Sequence, residues 1–190
     1  MCGRYHFTRD IADEMINAVL SSMDRKYPGG FKTGEIFPGD FAPGVIQWKG
    51  KLIAVPAQFG FPGFQENKLL INARSETAAE KKSFADSVHE RRIILPATGF
   101  YEWSHGPNKQ KFLFSVHESN VLYLCGIYKL IDGVFRFVIL TREANESMIE
   151  IHNRMPVIAS EKEVRPYLTD YNVATKIIHA NAPVLNRSLA

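Results

Sequence analysis

Residues 92–103 read Arg92-Ile93-Ile94-Leu95-Pro96-Ala97-Thr98-Gly99-Phe100-Tyr101-Glu102-Trp103, and residues 121–141 read VLYLCGIYKLIDGVFRFVILT. Both stretches are dense in β-branched and aromatic residues and are broken by turn residues at short intervals, which marks strands. Asp132-Gly133 inside the second stretch is a two-residue hairpin signal. Adding Phe112 to Val116 gives strands over 92–95, 99–103, 112–116, 121–128 and 134–141. Turn residues at Gly106-Pro107-Asn108, Ser119-Asn120 and Asp132-Gly133 separate them. Connections this short allow only antiparallel neighbours.

Working outward, Ile11, Ala12, Met15, Ile16, Val19, Leu20 and Met23 keep helical spacing, so residues 9–25 read as an amphipathic helix with Thr8 or Asp10 as its cap. Val45 to Trp48 and Leu52 to Val55 flank Lys49-Gly50-Lys51 as a hairpin. Gln58 to Phe64 is a loop whose rings are expected to be partly exposed or packed on a neighbouring surface. Residues 77–90 read as a second helix, 142–151 as a short third, Pro156 to Ala159 as a strand, and Ser160 to Leu168 as a helix with Ser160 as cap and Glu163 as its capping-box partner. The class is therefore α+β: one domain over residues 1–190, with a curled antiparallel sheet or distorted β-barrel as core and helices at the periphery.

The chain has 190 residues, 45% of them hydrophobic and 23% charged, which is ordinary globular composition and excludes disorder, collagen-like repeats and coiled coil. Its net charge of +3 is compatible with a polyanionic partner without requiring one. No apolar run approaches the roughly 18 residues of a membrane span. Two cysteines, Cys2 and Cys125, cannot build a disulfide framework, and the start of the chain lacks the basic-then-apolar layout of a signal peptide, so a reducing cytoplasm is expected. Histidines without paired spacing argue against a metal, and no cofactor motif is present.

Four segments carry candidate chemistry. In Met1-Cys2-Gly3-Arg4-Tyr5 the residue after the initiator is small enough for Met1 to be removed, which leaves Cys2 with a free α-amine beside its thiol. Such a 1,2-aminothiol condenses with an aldehyde to an imine and then closes to a thiazolidine; taken alone, Cys2 could equally be an arbitrary early cysteine. In Gly99-Phe100-Tyr101-Glu102-Trp103, period-two alternation puts Glu102 on the face of Phe100, where burial makes a carboxyl a usable proton donor and acceptor, whereas an exposed strand glutamate would do nothing. In His152-Asn153-Arg154-Met155-Pro156 an imidazole titrates near neutrality. Asn72-Ala73-Arg74-Ser75-Glu76 offers amide and guanidinium donors suited to phosphate oxygens.

In this order, with Leu95-Pro96 ahead of the third, these segments resemble the signature of the SOS response-associated peptidase (SRAP) family, whose members crosslink themselves to abasic sites in single-stranded DNA. The resemblance implies the family's α+β domain around a distorted antiparallel barrel, which agrees with the strands read independently. It implies that Cys2 is the crosslinking residue, that Glu102 and His152 are acid and base groups flanking it, and that Asn72 joins them. It further implies a DNA-binding surface of Arg4, Asn72, Arg74, Thr141, Arg154, Pro43 in an Ala42-Pro43 turn, and the rings of Phe59 and Phe64. Lys82 belongs either to that path or to a solvated face. The implied partner is single-stranded DNA containing abasic sites, bound by a monomer at the nucleoid, with no cofactor and no membrane.

Two departures stand out. Phe59 and Phe64 lie where the family often has Trp, and Asp40-Phe41 replaces Tyr-Asn ahead of the turn, which puts a negative charge near the expected DNA path. Two other functions compete: an N-terminal-nucleophile peptidase or amidohydrolase in which Cys2 attacks an acyl carbon, and a noncovalent single-strand binding module.

Overall fold

In the computed structural model of the chain, the described residues are 2–10, 13–63, 65–66, 68–105, 107–116 and 120–190. The elements run β1 (Arg4–Phe7), α1 (Glu14–Lys26), β2 (Gly34–Ile36), β3 (Phe41–Trp48), β4 (Lys51–Phe59), β5 (Phe61–Pro62), β6 (Leu69–Leu70), β7 (Asn72–Arg74), α2 (Ser75–Ala78) and α3 (Ala85–Glu90). They continue β8 (Arg92–Ala97), β9 (Gly99–Trp103), β10 (Lys111–Val116), β11 (Leu122–Ile131), β12 (Val134–Glu143), β13 (Arg154–Pro156), β14 (Ile158–Ala159), α4 (Glu161–Thr169), α5 (Tyr171–His179) and β15 (Leu185–Leu189).

Strands β12, β4, β3, β8 and β11 pair in sequence, and β11 pairs back to β12, so the larger sheet closes into a ring. The closure uses a parallel step, Arg136 opposite Gln58 and Phe137 opposite Phe59, in an otherwise mostly antiparallel structure. A second, five-stranded sheet runs β15-β10-β9-β1-β2. All six residues of β8 are buried, as expected of a strand covered on both faces. The fold is therefore the α+β arrangement around a curled, barrel-like sheet that the sequence indicates. No helix of the described residues is long and apolar enough to cross a membrane.

Some elements differ from expectation, each for a visible reason. Helix α1 starts later than residue 9, because Asp13 rather than Thr8 or Asp10 caps it by accepting from the Ile16 amide at 2.9 Å; Ile11 and Ala12 lie outside the described residues. The helix expected over 77–90 is two short ones, since Phe84 turns inward between them to pack against Phe61. Residues 142–151 do not form a helix: β12 runs on through Glu143 to pair with β13, and Asn145 then directs a turn by accepting from the Ser147 amide and hydroxyl. Pairing with a neighbouring strand outweighs the weak local helical preference. Pro43 is not in a turn; it is buried in β3, opposite Pro56. The capping box of Ser160 and Glu163 on α4 is present as read. The turns at Gly106 and Ser119 fall on residues outside the described set.

Candidate functional site

Within the five-stranded sheet β1 pairs with β9, Arg4 opposite Tyr101 and Tyr5 opposite Phe100. This register carries the start of the chain to the end of β9 that bears Glu102. Cys2 is wholly buried there, and its backbone carbonyl accepts from the Asn72 amide at 3.1 Å. Asn72 arrives from the larger sheet, on β7, which lies parallel to β12 with Asn72 opposite Ile139 and Arg74 opposite Thr141. One hydrogen bond thus ties the N-terminus to the closed sheet. The Asn72 side-chain oxygen, Oδ1, is buried and takes no donor among the described residues, which leaves an acceptor at the site.

Glu102 is 4% exposed, facing inward with Phe100 as the alternation requires. Burial pushes the Cys2 thiol well above its ordinary pKa, and the adjacent Glu102 carboxylate pushes the same way. The thiol is therefore held protonated with a carboxylate beside it. Half-buried His152 is held below the usual imidazole value first by desolvation, partly opposed by the Glu102 charge. Its Nδ1 accepts the Arg154 backbone N–H at 2.9 Å. A backbone amide can only donate, so Nδ1 carries no proton and Nε2–H is the hydrogen the ring offers. The His105 ring lies 5.7 Å away, centroid to centroid.

The structure brings Cys2, Asn72, Glu102 and His152 together. It gives other expected residues different work. Arg154 forms a two-pronged pair with Glu76, at 2.6 and 2.8 Å, and donates to the Thr141 carbonyl at 2.6 Å; its guanidinium is spent clamping α2 to β12 and is not free for phosphate. Thr141 is buried under that clamp. Phe59 is fully buried, stacked on Phe137 at 4.9 Å with the planes 2° apart, so it cannot receive a base; closing the ring of strands places it in the core. Phe64 lies outside the described residues. Buried Pro43 offers no exposed turn to DNA. Arg74 is exposed, beside a 330 Å³ depression also lined by Glu143, Ile149, Asn153 and Arg154. Lys82 is exposed in the segment between α2 and α3.

Arg4 sits on a ledge the sequence did not disclose. Its guanidinium lies between the rings of Phe37 and Trp103, at 4.6 and 4.8 Å, and reaches Glu35 at 3.4 Å. Lys111 bonds the same carboxylate at 2.9 Å and lies 3.8 Å from the centre of the Tyr101 ring. Partial burial works against ionisation of Glu35, but Lys111 and Arg4 hold its carboxyl below the usual range. Trp103 was legible as the residue after Glu102; nothing local marks Phe37, Glu35 or Lys111, which only sheet pairing assembles. The Asp40 charge is answered by Lys32 at 2.7 Å, and the same oxygen accepts the Phe37 amide, so Asp40 shapes this ledge instead of standing as a bare anion.

No group of three or more His, Cys, Asp or Glu that could hold a metal occurs among the described residues.

Residues 1–188 match the family described as SOS response associated peptidase (SRAP). The chain is 30% identical over 179 residues to the abasic site processing protein YedK of Escherichia coli, covering 88% of this chain and 79% of that one. It is 36% identical over 110 residues to the abasic site processing protein YobE of Bacillus subtilis, covering 54% of this chain and 50% of that one, so the match spans about half the length of that relative. A solved protein from Bacteroides thetaiotaomicron shares the fold, with TM-score 0.77 at 19% identity over 99% of this chain and 91% of that one. A protein from Bordetella bronchiseptica does likewise, with TM-score 0.77 at 18% identity over 100% and 99%.

Proposed function

The chain belongs to the SOS response-associated peptidase family, and from that premise we propose that it binds single-stranded DNA at abasic sites and joins itself to the lesion through Cys2 once Met1 is removed. The observation that carries this reading is the convergence of Asn72 on the Cys2 backbone with Glu102 and His152 beside it. The abasic sugar in its open form is an aldehyde. The α-amine adds to the aldehyde carbon, water leaves as the C=N bond forms, and the thiol S–H adds across that bond, sulfur to carbon and proton to nitrogen. One water is lost overall. Glu102 is placed to carry protons between amine, thiol and the leaving hydroxyl, and the His152 Nε2–H to donate to the sugar oxygen during ring opening.

The acyl-transfer alternative fits less well. Thiol proteases work by lowering the thiol pKa, whereas burial and Glu102 both raise that of Cys2. In ring closure Glu102 can take the S–H proton as sulfur attacks the imine carbon and return it to the nitrogen, so the thiol need not be ionised beforehand. Incubating the processed protein with single-stranded DNA carrying one abasic site tests the reading. A band shifted under denaturing conditions, with the N-terminal peptide carrying the sugar less one water, is expected. Attachment at Cys125 or a lysine, or no adduct alongside peptide hydrolysis, overturns it.

A further inference from the structure

On the far stretch of β12 from the site, the structure sets two like charges side by side. Lys129 of β11 lies directly opposite Arg136 of β12 in the antiparallel register. Like charges so placed repel and weaken a sheet. Neither side chain makes an ion pair among the described residues, and the Arg136 Nε is buried without a partner among them. Lys129 reaches over the Phe61 ring, 5.3 Å from its centre, toward the β5–β6 hairpin. Beside it is an open groove of about 470 Å³ lined by Arg136, Lys68, Gln65, Glu66, Pro62 and Leu69. Two cations, Lys68 and Arg136, thus line the groove against the single carboxylate of Glu66, and Lys129 stands next to Arg136 at its side.

We propose that this groove, with Lys68, Lys129 and Arg136, is a second phosphate-binding stretch that holds the backbone of the lesion-bearing single strand away from the abasic site. The inference rests on the DNA reading above and extends it. Arg136 stands five residues before Thr141, whose strand partner is Arg74, so the groove begins roughly 17 Å along the sheet from the Arg74 depression. A phosphate there relieves the Lys129–Arg136 repulsion. Contacts of this kind carry affinity and direction but no lesion information.

The test compares a lesion-centred pentamer, whose ends fall short of the groove, with a 20-mer, each with and without the abasic site, by fluorescence anisotropy at several salt concentrations. For the combined Lys68→Gln, Lys129→Gln, Arg136→Gln variant, affinity for the 20-mer should fall about 10-fold or more. The slope of log K against log salt should become shallower by about 2, at roughly 0.7 for each lost single-strand contact. Pentamer affinity and crosslinking rate should not change. The charge-preserving Arg136→Lys and the exposed Lys68→Gln, measured singly, keep the comparison valid should the triple variant fail to fold: the first should stay near wild type, the second should lose affinity for the 20-mer alone. Equal losses on pentamer and 20-mer, or no loss on either, overturns the proposal. The undamaged 20-mer separates the two readings, because length-dependent loss on it stands even where no crosslink forms.

Discussion

At the scale of single residues, the hydrogen bond from the Arg154 amide to His152 Nδ1 decides most. A protonated imidazole would turn an N–H toward that amide, so the bond favours the neutral ring, and burial lowers the pKa in the same direction. The sign follows: His152 stays neutral above the ordinary imidazole value of about 6.5 and resists charging below it. Single-turnover crosslinking should therefore show no loss from this group between pH 7 and 8 and decline only well into the acid range; a rate that climbs as pH falls from 7 to 6 would make imidazolium the active form. The same group costs stability as pH drops below about 6.5, where the unfolded chain takes up a proton that the folded ring resists. His152→Ala should slow crosslinking by about 10-fold to 1,000-fold with DNA affinity nearly intact. Cys2→Ser, or Cys2→Ala, keeps the amine but removes the ring-closing sulfur. Adducts that survive denaturation should vanish, while borohydride should trap the imine. Failure to trap any adduct from these variants would place the first bond on sulfur instead.

At the scale of elements, the site depends on clamps between strands. Arg154 is nearly buried, with its side chain 10% exposed, and its partner Glu76 is 42% exposed, so solvent screens part of the pair. The Glu76 carboxyl is held below the usual range by the Arg154 guanidinium. Its stabilisation is present above about pH 4.3 and is lost as pH falls through the lowered folded value. Glu76→Gln should destabilise the protein by about 1–3 kcal/mol at neutral pH. It should also slow crosslinking, because the Arg154 backbone that it steadies feeds His152; unchanged melting would remove the clamp from this account. Strand β9 offers a second check. A Cβ at Gly99 would lie 2.8 Å from the Phe114 carbonyl oxygen and 2.7 Å from the Leu113 Cδ1. Gly99→Ala should push β9 off β10 at a cost of about 1–3 kcal/mol. The shift displaces Glu102, so crosslinking should fall more than binding does, as single-turnover rates and anisotropy would read out together.

For the molecule as a whole, the proposed DNA binding poses the question of how a modest net charge of +3 would hold a polyanion. The answer lies in distribution, with Arg4 and Lys111 on an aromatic ledge and Arg74 exposed at the mouth. Arg74→Ala should weaken binding of undamaged and abasic strands alike, with a shallower salt slope by about 0.7. Unchanged affinity at moderate salt would put the strand elsewhere. Single strands should be preferred over continuous duplex, because Trp103 and Phe37 can stack on unpaired bases, whereas a duplex must first unstack at a cost of a few kcal/mol. Equal crosslinking of an abasic site within intact duplex would count against that ledge as the DNA path.

The sequence by itself determined the class of fold and named the residues of the candidate site. Alternation and turn residues mark the strands of residues 92–141 because the pleat fixes a period of two, and the segments around Cys2, Asn72, Glu102 and His152 carry their chemistry in residue type and order. Helix α5 was not read from the sequence, although Ala174, Ile177 and Ile178 keep helical spacing behind the cap Asp170, and β12 and its turn show how pairing overrides such spacing. Only the tertiary structure decided what each aromatic and each arginine does. Phe59 and Trp103 look alike as rings near motifs, yet closure of the barrel buries the first against Phe137 and leaves the second beside Arg4. Arg74 and Arg154 look alike as phosphate donors, yet pairing of β12 with β13 brings Arg154 to Glu76 and leaves Arg74 facing outward. The physical reason is that burial and ion pairing depend on which distant strands become neighbours, and that information is spread over the whole chain rather than held in any one segment of it.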